Sequence, residues 1–290
     1  MSFGRILLSA LLVLIGFLPG CIPGQEARFR QSRMVEVGHV VGSAIGVETG
    51  NGEVTVVANR EVASVRIVAE IRALTQERAD AVQVIAQREP DGSLLISSAW
   101  PGSRSGSESC SFIIHAPDLG DVAIITKNGH IEIAGAAGNV SIETRNGRVH
   151  ARSIAGSLKA HTSNGAINAR DIGGPTEART SNGSVTLTDV AGAVDARSSN
   201  GAIRVTLDDA CAGPVTVATT NGSIELAFGS AFGGSVAFKT RNGRIRASDL
   251  PAGMRVPSQL NGVTLVWGPG DQSSLTTTNG AITLRSRERR

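Results

Sequence analysis

Apolar residues recur at every second position in short stretches of this chain, and Asn-Gly pairs separate the stretches. Four consecutive spacings, from Asn128 to Asn200, are 18 residues long, and the later spacings are 21, 21, 19 and 18 residues. A sustained period of this length is the signature of a repeat protein, in which each unit packs against its neighbours. The asparagines of the ten pairs are Asn51, Asn128, Asn146, Asn164, Asn182, Asn200, Asn221, Asn242, Asn261 and Asn279.

Each unit carries the same residue types at the same distance from its asparagine. Threonine or serine lies two residues before it in every unit except the one with Gln259. Valine or isoleucine lies three residues after it in every unit except the one with Thr264, and the fifth following residue is always apolar. This apolar period of two predicts β-strands. Asn-Gly predicts a tight turn between the strands, because both residues tolerate positive φ angles.

Strand-turn-strand units in series can form antiparallel hairpins or the coils of a solenoid. In a solenoid of 18-residue coils, residue n lies above residue n+18, so that identical residue types form columns. Ile167 would then be buried between Val149 and Val185, and the asparagines would hydrogen-bond along their own column. Because the columns are conspicuous, we predict an all-β, single-stranded parallel β-solenoid (β-helix) of right-handed, ~18-residue coils. The repeats are expected to span residues 121–286 and to be followed by a basic tail at 287–290.

The region before the repeats has a different pattern. Residues 41–120 contain one Asn-Gly unit, at Asn51, followed by a long strand, a short helical turn with Thr75 as N-cap, and a predicted hairpin around Pro90-Asp91-Gly92. We expect this region to form the first coil and a β-rich cap. Such a cap is needed because the first coil of a solenoid otherwise exposes its strand edges.

The first twenty residues form a predicted signal peptide, with Arg5 followed by an apolar run that is too short for a membrane span. They end in Leu18-Pro19-Gly20-Cys21, which resembles the lipobox of bacterial lipoproteins. The resemblance implies that Cys21 is acylated, for example with palmitate, and becomes the mature N-terminus. With Ile22 next in the chain, it also implies sorting to the outer membrane. The alternative is an ordinary secretory signal with an incidental cysteine. Residues 21–40 are predicted to be a polar tether.

The two remaining cysteines, Cys110 and Cys211, are five to six repeats apart. Export would place them in an oxidising compartment. A disulfide between them would require one segment to fold back along the stack. We therefore expect two unpaired and largely buried thiols.

Three stretches carry a resemblance to a known family: TGNGEVTVVAN, FIIHAPDLGDVAIITKNGHIEI and the recurring T-x-N-G-x-[VI]-x-[AVL]. Together they resemble the bacterial candidate adhesin domains of unknown function, over roughly Val41 to Leu284. The resemblance implies a β-solenoid in the cell envelope, with a role in adhesion by analogy only.

One column of carboxylates could carry chemistry. Asp171 and Asp189 both lie seven residues after their asparagines, and Asp208 follows at position eight of the next unit. Polysaccharide-active β-helix enzymes use such neighbours as an acid/base pair or to bind calcium. The alternative is that aspartate suits the corner of a coil, where its side chain can bond to the turn backbone. No cofactor or metal motif accompanies the column, and we predict a protein that is not an enzyme.

The net charge of +3 and the 3% aromatic content argue against a nucleic-acid binder. Two basic groups lie at outward strand positions. A flat outer sheet face carrying them suits an anionic polysaccharide or an envelope protein better than a small-molecule substrate. The alternative is that these charges only keep the surface soluble. The groups are Arg145, Arg148, His150 and Arg152 with Lys159 and His161, and Lys239, Arg241, Arg244 and Arg246.

Overall fold

The computed structural model describes residues 26–248, 262–267 and 270–287. The predicted signal peptide, Cys21, Asn261 and the last three residues of the basic tail lie outside this part. The strands of the first half are β1 Phe29–Val37, β2 Ile45–Asn51, β3 Val54–Ala58, β4 Val65–Ala73, β5 Gln83–Arg88, β6 Leu94–Ala99, β7 Ser109–Ala116, β8 Val122–Asn128, β9 Ile131–Ala134, β10 Val140–Thr144, β11 Val149–Ile154 and β12 Leu158–Thr162. A single described helix, α1, spans Gln76–Ala81.

The strands of the second half complete two long sheets. They are β13 Ile167–Ile172, β14 Thr176–Thr180, β15 Val185–Val190, β16 Val194–Ser198, β17 Ile203–Leu207, β18 Val215–Thr219, β19 Ile224–Phe228, β20 Gly234–Thr240, β21 Ile245–Ser248, β22 Gly262–Trp267, β23 Gln272–Thr277 and β24 Ile282–Ser286. Sheet A has the order β1-β4-β7-β3-β9-β11-β13-β15-β17-β19-β24-β21, and sheet B has the order β22-β20-β23-β18-β16-β14-β12-β10-β8-β2-β6-β5.

Successive coils stack in parallel and in the predicted register. Each coil contributes one strand to sheet B and the next strand to sheet A, so that the Asn-Gly pair turns the chain from one sheet to the other. In sheet A, Ile167 pairs with Val149 on one side and with Val185 on the other. Its side chain is fully buried. The parallel β-solenoid is therefore confirmed.

In most stacked coils from β12 onward, the buried threonine or serine donates to the carbonyl of a corner glycine in a neighbouring coil, whereas the buried hydroxyl of Thr144 has no partner. The hydroxyl of Thr180 donates to the carbonyl of Gly165 at 2.9 Å, and Ser198 donates to Gly183 in the same way. Without these bonds the corner carbonyls would be buried and unpaired, which is costly. This explains why threonine or serine lies two residues before the asparagine.

The expected reason for glycine at the corner is wrong in the stacked coils. In the described coils from Asn128 onward, the glycine of the Asn-Gly pair does not have a positive φ angle. Glycine is needed there because the backbones approach closely: a Cβ on Gly165 would collide with the carbonyl oxygen of Gly147. The turn is a corner between two sheets, not a hairpin, and this geometry does not require the left-handed region.

The asparagines form one continuous ladder, as predicted. The side-chain amide of each donates to the side-chain oxygen of its neighbour, for example Asn164 to Asn146 at 2.7 Å. Asn51 of the first coil belongs to the ladder, because Asn128 donates to it at 2.6 Å. Its own amide donates to the carbonyls of Gly106 and Glu108 in the cap.

The cap at the start of the stack contains β1, β4, β7, α1 and the β5–β6 hairpin. Strand β4 pairs antiparallel with both β1 and β7, and β5 pairs antiparallel with β6. The predicted N-cap is confirmed, because Thr75 accepts a hydrogen bond from the Arg78 backbone. The predicted tether over 21–40 is wrong in its second half: β1 alternates inward and outward residues, and Val35 and Val37 pack against the core.

The last coil lies out of sequence order, which the serial stack did not anticipate. Strand β23 lies between β18 and β20, and β24 lies between β19 and β21. Asn279 therefore donates to Asn221, and Asn242 donates to Asn279. The unit expected around Asn261 is not a coil, since β22 runs antiparallel to β20 and Val266 is 71% exposed instead of buried.

Cys110 and Cys211 are both free and buried, as predicted. Burial raises the pKa of the Cys110 thiol to about 11, which keeps it protonated and unreactive. No helix among the described residues is long and apolar enough to cross a membrane.

Candidate functional site

The outer face of sheet B contains a shallow, open groove of about 510 Å³ that runs across strands β12, β14, β16, β18 and β23. The floor of the groove is a column of hydroxyl groups from residues that precede the corner asparagines. This column consists of Ser181, Ser199, Thr220 and Thr278. A second column beside it contains His161, Arg179, Arg197, Ala218 and Thr276. The repeat builds both columns, because equivalent residues of stacked coils point to the same side.

Charged side chains on one half of the groove form a connected network. His161 contacts Glu177 at 2.8 Å, and Arg179 bridges Glu177 and Asp195 at 3.2 and 3.0 Å. Arg197 contacts Asp195 through its Nε at 2.8 Å. Burial alone would raise the pKa of Asp195, but hydrogen bonds from Arg197 and Arg179 lower it below its ordinary value. Both arginines are thus held against the sheet.

Beyond β23, the groove meets two cations that have no acidic partner among the described residues. A further open volume of about 440 Å³ adjoins the groove, lined by Lys239 and Arg241 together with Thr276 and Thr278. Lys239 lies beside Thr276 in the β20–β23 pairing. Among the described residues, neither Lys239 nor Arg241 takes part in an ion pair.

The first predicted basic group does not form one strip. The corner at Asn146 turns the chain, so Arg145 lies beside sheet B while Arg148 and His150 lie on the outer side of sheet A. Lys159 and His161 follow in β12 of sheet B. Arg152 forms an ion pair with Glu132 at 3.3 Å. The expectation failed because residues within one coil were treated as sharing a face. The second predicted group divides in the same way at its own corner.

The predicted aspartate column occupies backbone corners. Asp171 and Asp189 have φ angles of 56° and 54°, and Ser153 occupies the equivalent position with 54°. Aspartate tolerates this left-handed conformation better than most residues do. Asp189 also pairs with Arg287 at 3.0 Å, and Asp208 accepts a hydrogen bond from the Ala210 backbone at 2.8 Å. These contacts fit the corner interpretation of the column. No group of three potential metal ligands occurs in the described part of the chain.

Sequence reasoning missed Arg179, Arg197 and the hydroxyl column as site residues. Their phase contained the signal: Arg179 and Arg197, three residues before their asparagines, are exposed on β14 and β16, and Ser181 and Ser199, one residue before, are exposed just past the strand ends. In the coils that line the groove, the position one residue before the asparagine holds Ser181, Ser199, Thr220 and Thr278, and the position three residues before it holds His161, Arg179 and Arg197, followed by Ala218 and Thr276.

These features define a β-repeat protein with an open surface groove in place of a closed pocket. Residues 43–285 match the Toastrack DUF4097 family model. The match covers most of the sequence, and the chain therefore belongs to this family.

Three similar solved structures come from two Parabacteroides species. A candidate adhesin from Parabacteroides distasonis is 10% identical with a TM-score of 0.45, and the alignment covers 91% of this chain and 98% of that chain. A candidate adhesin from Parabacteroides merdae is 12% identical with a TM-score of 0.42, over 91% and 98% of the two chains. A candidate lipid-binding protein from Parabacteroides distasonis is 13% identical with a TM-score of 0.42, over 89% and 97%. A search of the curated proteins found no match to this chain.

Proposed function

We propose that this protein is a non-catalytic lipoprotein of the cell envelope, attached to the outer membrane through acylated Cys21. In this proposal the solenoid presents the groove on sheet B as an extended binding surface. The occupant is a polymer, in the first place an anionic polysaccharide, and an envelope protein is the alternative. The shape of the groove carries the proposal: it crosses five strands and remains open along the stack.

Two further observations support a polymer over a small metabolite. The groove repeats one set of hydroxyl groups from coil to coil, so it offers many similar weak contacts instead of one convergent set. Small-molecule sites are normally concave and largely enclose their ligand. An elongated chain gains from a repeated surface because each contact adds to the same binding event.

The enzyme alternative, with Asp171, Asp189 and Asp208 as its carboxylates, receives no support from a specific observation. The backbone at the first two residues is fixed by the corner, and the side chains of Asp189 and Asp208 are engaged by Arg287 and by the local backbone. Catalytic carboxylates of glycoside hydrolases face each other across a substrate cleft. The groove described above lies on sheet B, whereas Asp171 and Asp189 belong to strands of sheet A.

The proposal can be tested by obstructing the groove. Ser199→Trp places a large side chain on its floor, and Thr188→Trp places the same side chain on the outer side of sheet A in the neighbouring strand β15. Native gels containing an acidic polysaccharide such as alginate, or a neutral one such as dextran, report binding as retardation. In the gel that contains the acidic polysaccharide, we expect the wild type and Thr188→Trp to be retarded and Ser199→Trp to migrate freely. Equal migration of all three in both gels would contradict the proposal.

A further inference from the structure

The out-of-order position of the last coil creates a surface that no serial stack would contain. Strand β23 lies between β18 and β20, so Thr276 is a direct neighbour of Lys239. The backbone of Asn242 donates to the carbonyl of Thr278, which places the Arg241 corner beside Thr278. Two cations from one coil thus face two hydroxyl groups from the coil that is latest in the chain.

Among the described residues, the electrostatics of this surface are one-sided. The four adjacent strands β18, β20, β22 and β23 contain no aspartate or glutamate. Lys239 is exposed, and its antiparallel neighbour in β22 is Gly262, which has no side chain to cover it. By contrast, Arg204 and Arg285 on sheet A are both paired with Glu225. Uncompensated cations beside hydroxyl donors form an anion-binding environment.

We propose that Lys239 and Arg241, with Thr276 and Thr278, form a subsite for the carboxylate groups of an acidic glycan. This inference rests on the proposed function and names the ligand class of the same groove. Arg241 follows Lys239 by two residues, just past the end of β20 at Thr240, so their backbones are at most about 7 Å apart. They engage two oxyanions, while the threonine hydroxyls bond to sugar oxygens between them.

Charge placement along the stack fits a chain with repeated carboxylates. Arg197, Ala218, Thr276 and Lys239 are successive partners across strands β16, β18, β23 and β20. Three strand steps of about 4.8 Å therefore separate Arg197 from Lys239, roughly 14 Å. One step is close to the length of a sugar residue in an extended glycan. A polyuronate lying along the groove would present a carboxylate to Lys239 at one end, and at the other end to the guanidinium N–H groups of Arg197 that do not contact Asp195.

The test compares two double variants with the same charge change in the same coil. Lys239→Gln with Arg241→Gln removes the cations of the subsite, and Arg244→Gln with Arg246→Gln removes two cations on the sheet A side of the corner. Binding of a galacturonic acid hexamer is measured by calorimetry at low and moderate salt. We expect the first pair to bind at least about tenfold more weakly, with reduced salt dependence, and the second pair to bind like the wild type.

Two further arms make the result decisive. Lys239→Arg with Arg241→Lys keeps both charges and should restore most of the affinity, whereas neutral maltohexaose should not distinguish the variants. Equal losses in both double variants, or stronger binding of a polyglutamate peptide than of the glycan, would overturn the subsite. If Ser199→Trp prevents retardation in polysaccharide gels but the Lys239 and Arg241 variants do not weaken binding, the subsite fails while the proposed function stands. If Ser199→Trp also has no effect, the proposed function fails.

Discussion

At each stacked corner, the glycine of one coil lies against the carbonyl of the glycine in the coil before it. A side chain is therefore excluded by a collision of its Cβ with the neighbouring backbone, and not by the φ angle of the glycine. We predict that Gly165→Ala lowers the free energy of unfolding by about 2–3 kcal/mol, because two coils must separate locally to admit the methyl group. Urea denaturation is the measurement. Gly106→Ala is the matched control, since a Cβ there meets nothing within 4 Å; a similar loss in both variants would contradict this explanation.

Among the ion pairs of the described cap, only the Arg78–Glu108 pair has a fully buried carboxylate. The Glu108 carboxylate is fully buried and accepts hydrogen bonds from Arg78 Nε and Nη2 at 2.7 and 2.8 Å and from the backbones of Leu74 and Ser105. The hydrogen bonds from Arg78 have the largest effect and lower the pKa of Glu108 to about 2, although burial opposes them. The pair joins α1 to the loop before β7.

The sign of the pH dependence follows from this lowered pKa. In the unfolded chain Glu108 titrates near its ordinary value of about 4.3. Its contribution to stability is therefore complete above pH ~5 and is lost as the pH falls towards 2. We expect Glu108→Gln to be less stable than the wild type at pH 7 and to approach it at pH 2–3. Urea midpoints between pH 2 and 7 would show this, and a stability difference that does not change with pH would exclude it.

At the scale of elements, the pairing of β18 with β23 sets the order of the last strands in the stack. A serial solenoid would pair Ala218 of β18 with Lys239 of β20, whereas the structure pairs Ala218 with Thr276. Strand β23 takes the inner position, and β20 moves one place outward. The Ser/Thr floor of the groove is continuous only because of this exchange.

Cysteine pairs can distinguish the two arrangements. Ala218→Cys with Thr276→Cys places the two thiols on directly opposed residues of neighbouring strands, within the separation that a disulfide allows. Ala218→Cys with Lys239→Cys places them two strands apart, beyond that limit. We expect oxidation to crosslink the first pair and not the second, as measured by mass spectrometry under non-reducing conditions. The native thiols do not compete, since Cys110 and Cys211 are buried. Crosslinking of the second pair alone would indicate serial order.

At the scale of the whole molecule, the position of the cap determines how an anchored protein would face the membrane. Eight residues connect Cys21 to Phe29 at the start of β1, and they can span at most about 28 Å. An acylated Cys21 would therefore hold the cap end near the bilayer. The open groove and the Lys239 subsite lie towards the opposite end of sheet B, which in an anchored protein would be the end farther from the membrane.

The anchor itself is a prediction from the Leu18-Pro19-Gly20-Cys21 motif. Cys21→Ala should move the protein from the membrane fraction to the soluble fraction of the cell, because a single sulfur carries the attachment. Fractionation with immunodetection and the intact mass of the mature protein are the measurements. Cys110→Ala is the control and should leave the protein in the membrane fraction. A wild-type protein that is soluble and has no acyl mass would refute the anchor.

Much of this architecture was determined by the sequence itself. The 18-residue period from Asn128 to Asn200 places like residues above one another, and branched apolar residues at alternating positions can satisfy a narrow core in only one register. Ile167 between Val149 and Val185, the ladder through Asn164 and the Thr75 cap followed from local spacing alone. The first two depend on neighbours that the repeat supplies, and the third depends on Arg78 three residues further along the chain, so a pattern in one dimension was sufficient.

Tertiary structure decided what spacing could not express. The order of the last coils depends on which exposed strand edge the C-terminal segment covers. Several registers are equivalent at the level of local sequence. For this reason Asn261 matched the repeat pattern, although β22, which follows it, runs antiparallel to β20. The role of Gly165 depends on a carbonyl one coil away. The separation of Arg145 from Arg148 depends on the direction of a corner. For the same reason, the meeting of Lys239 with Thr276 exists only once distant parts of the chain have packed together.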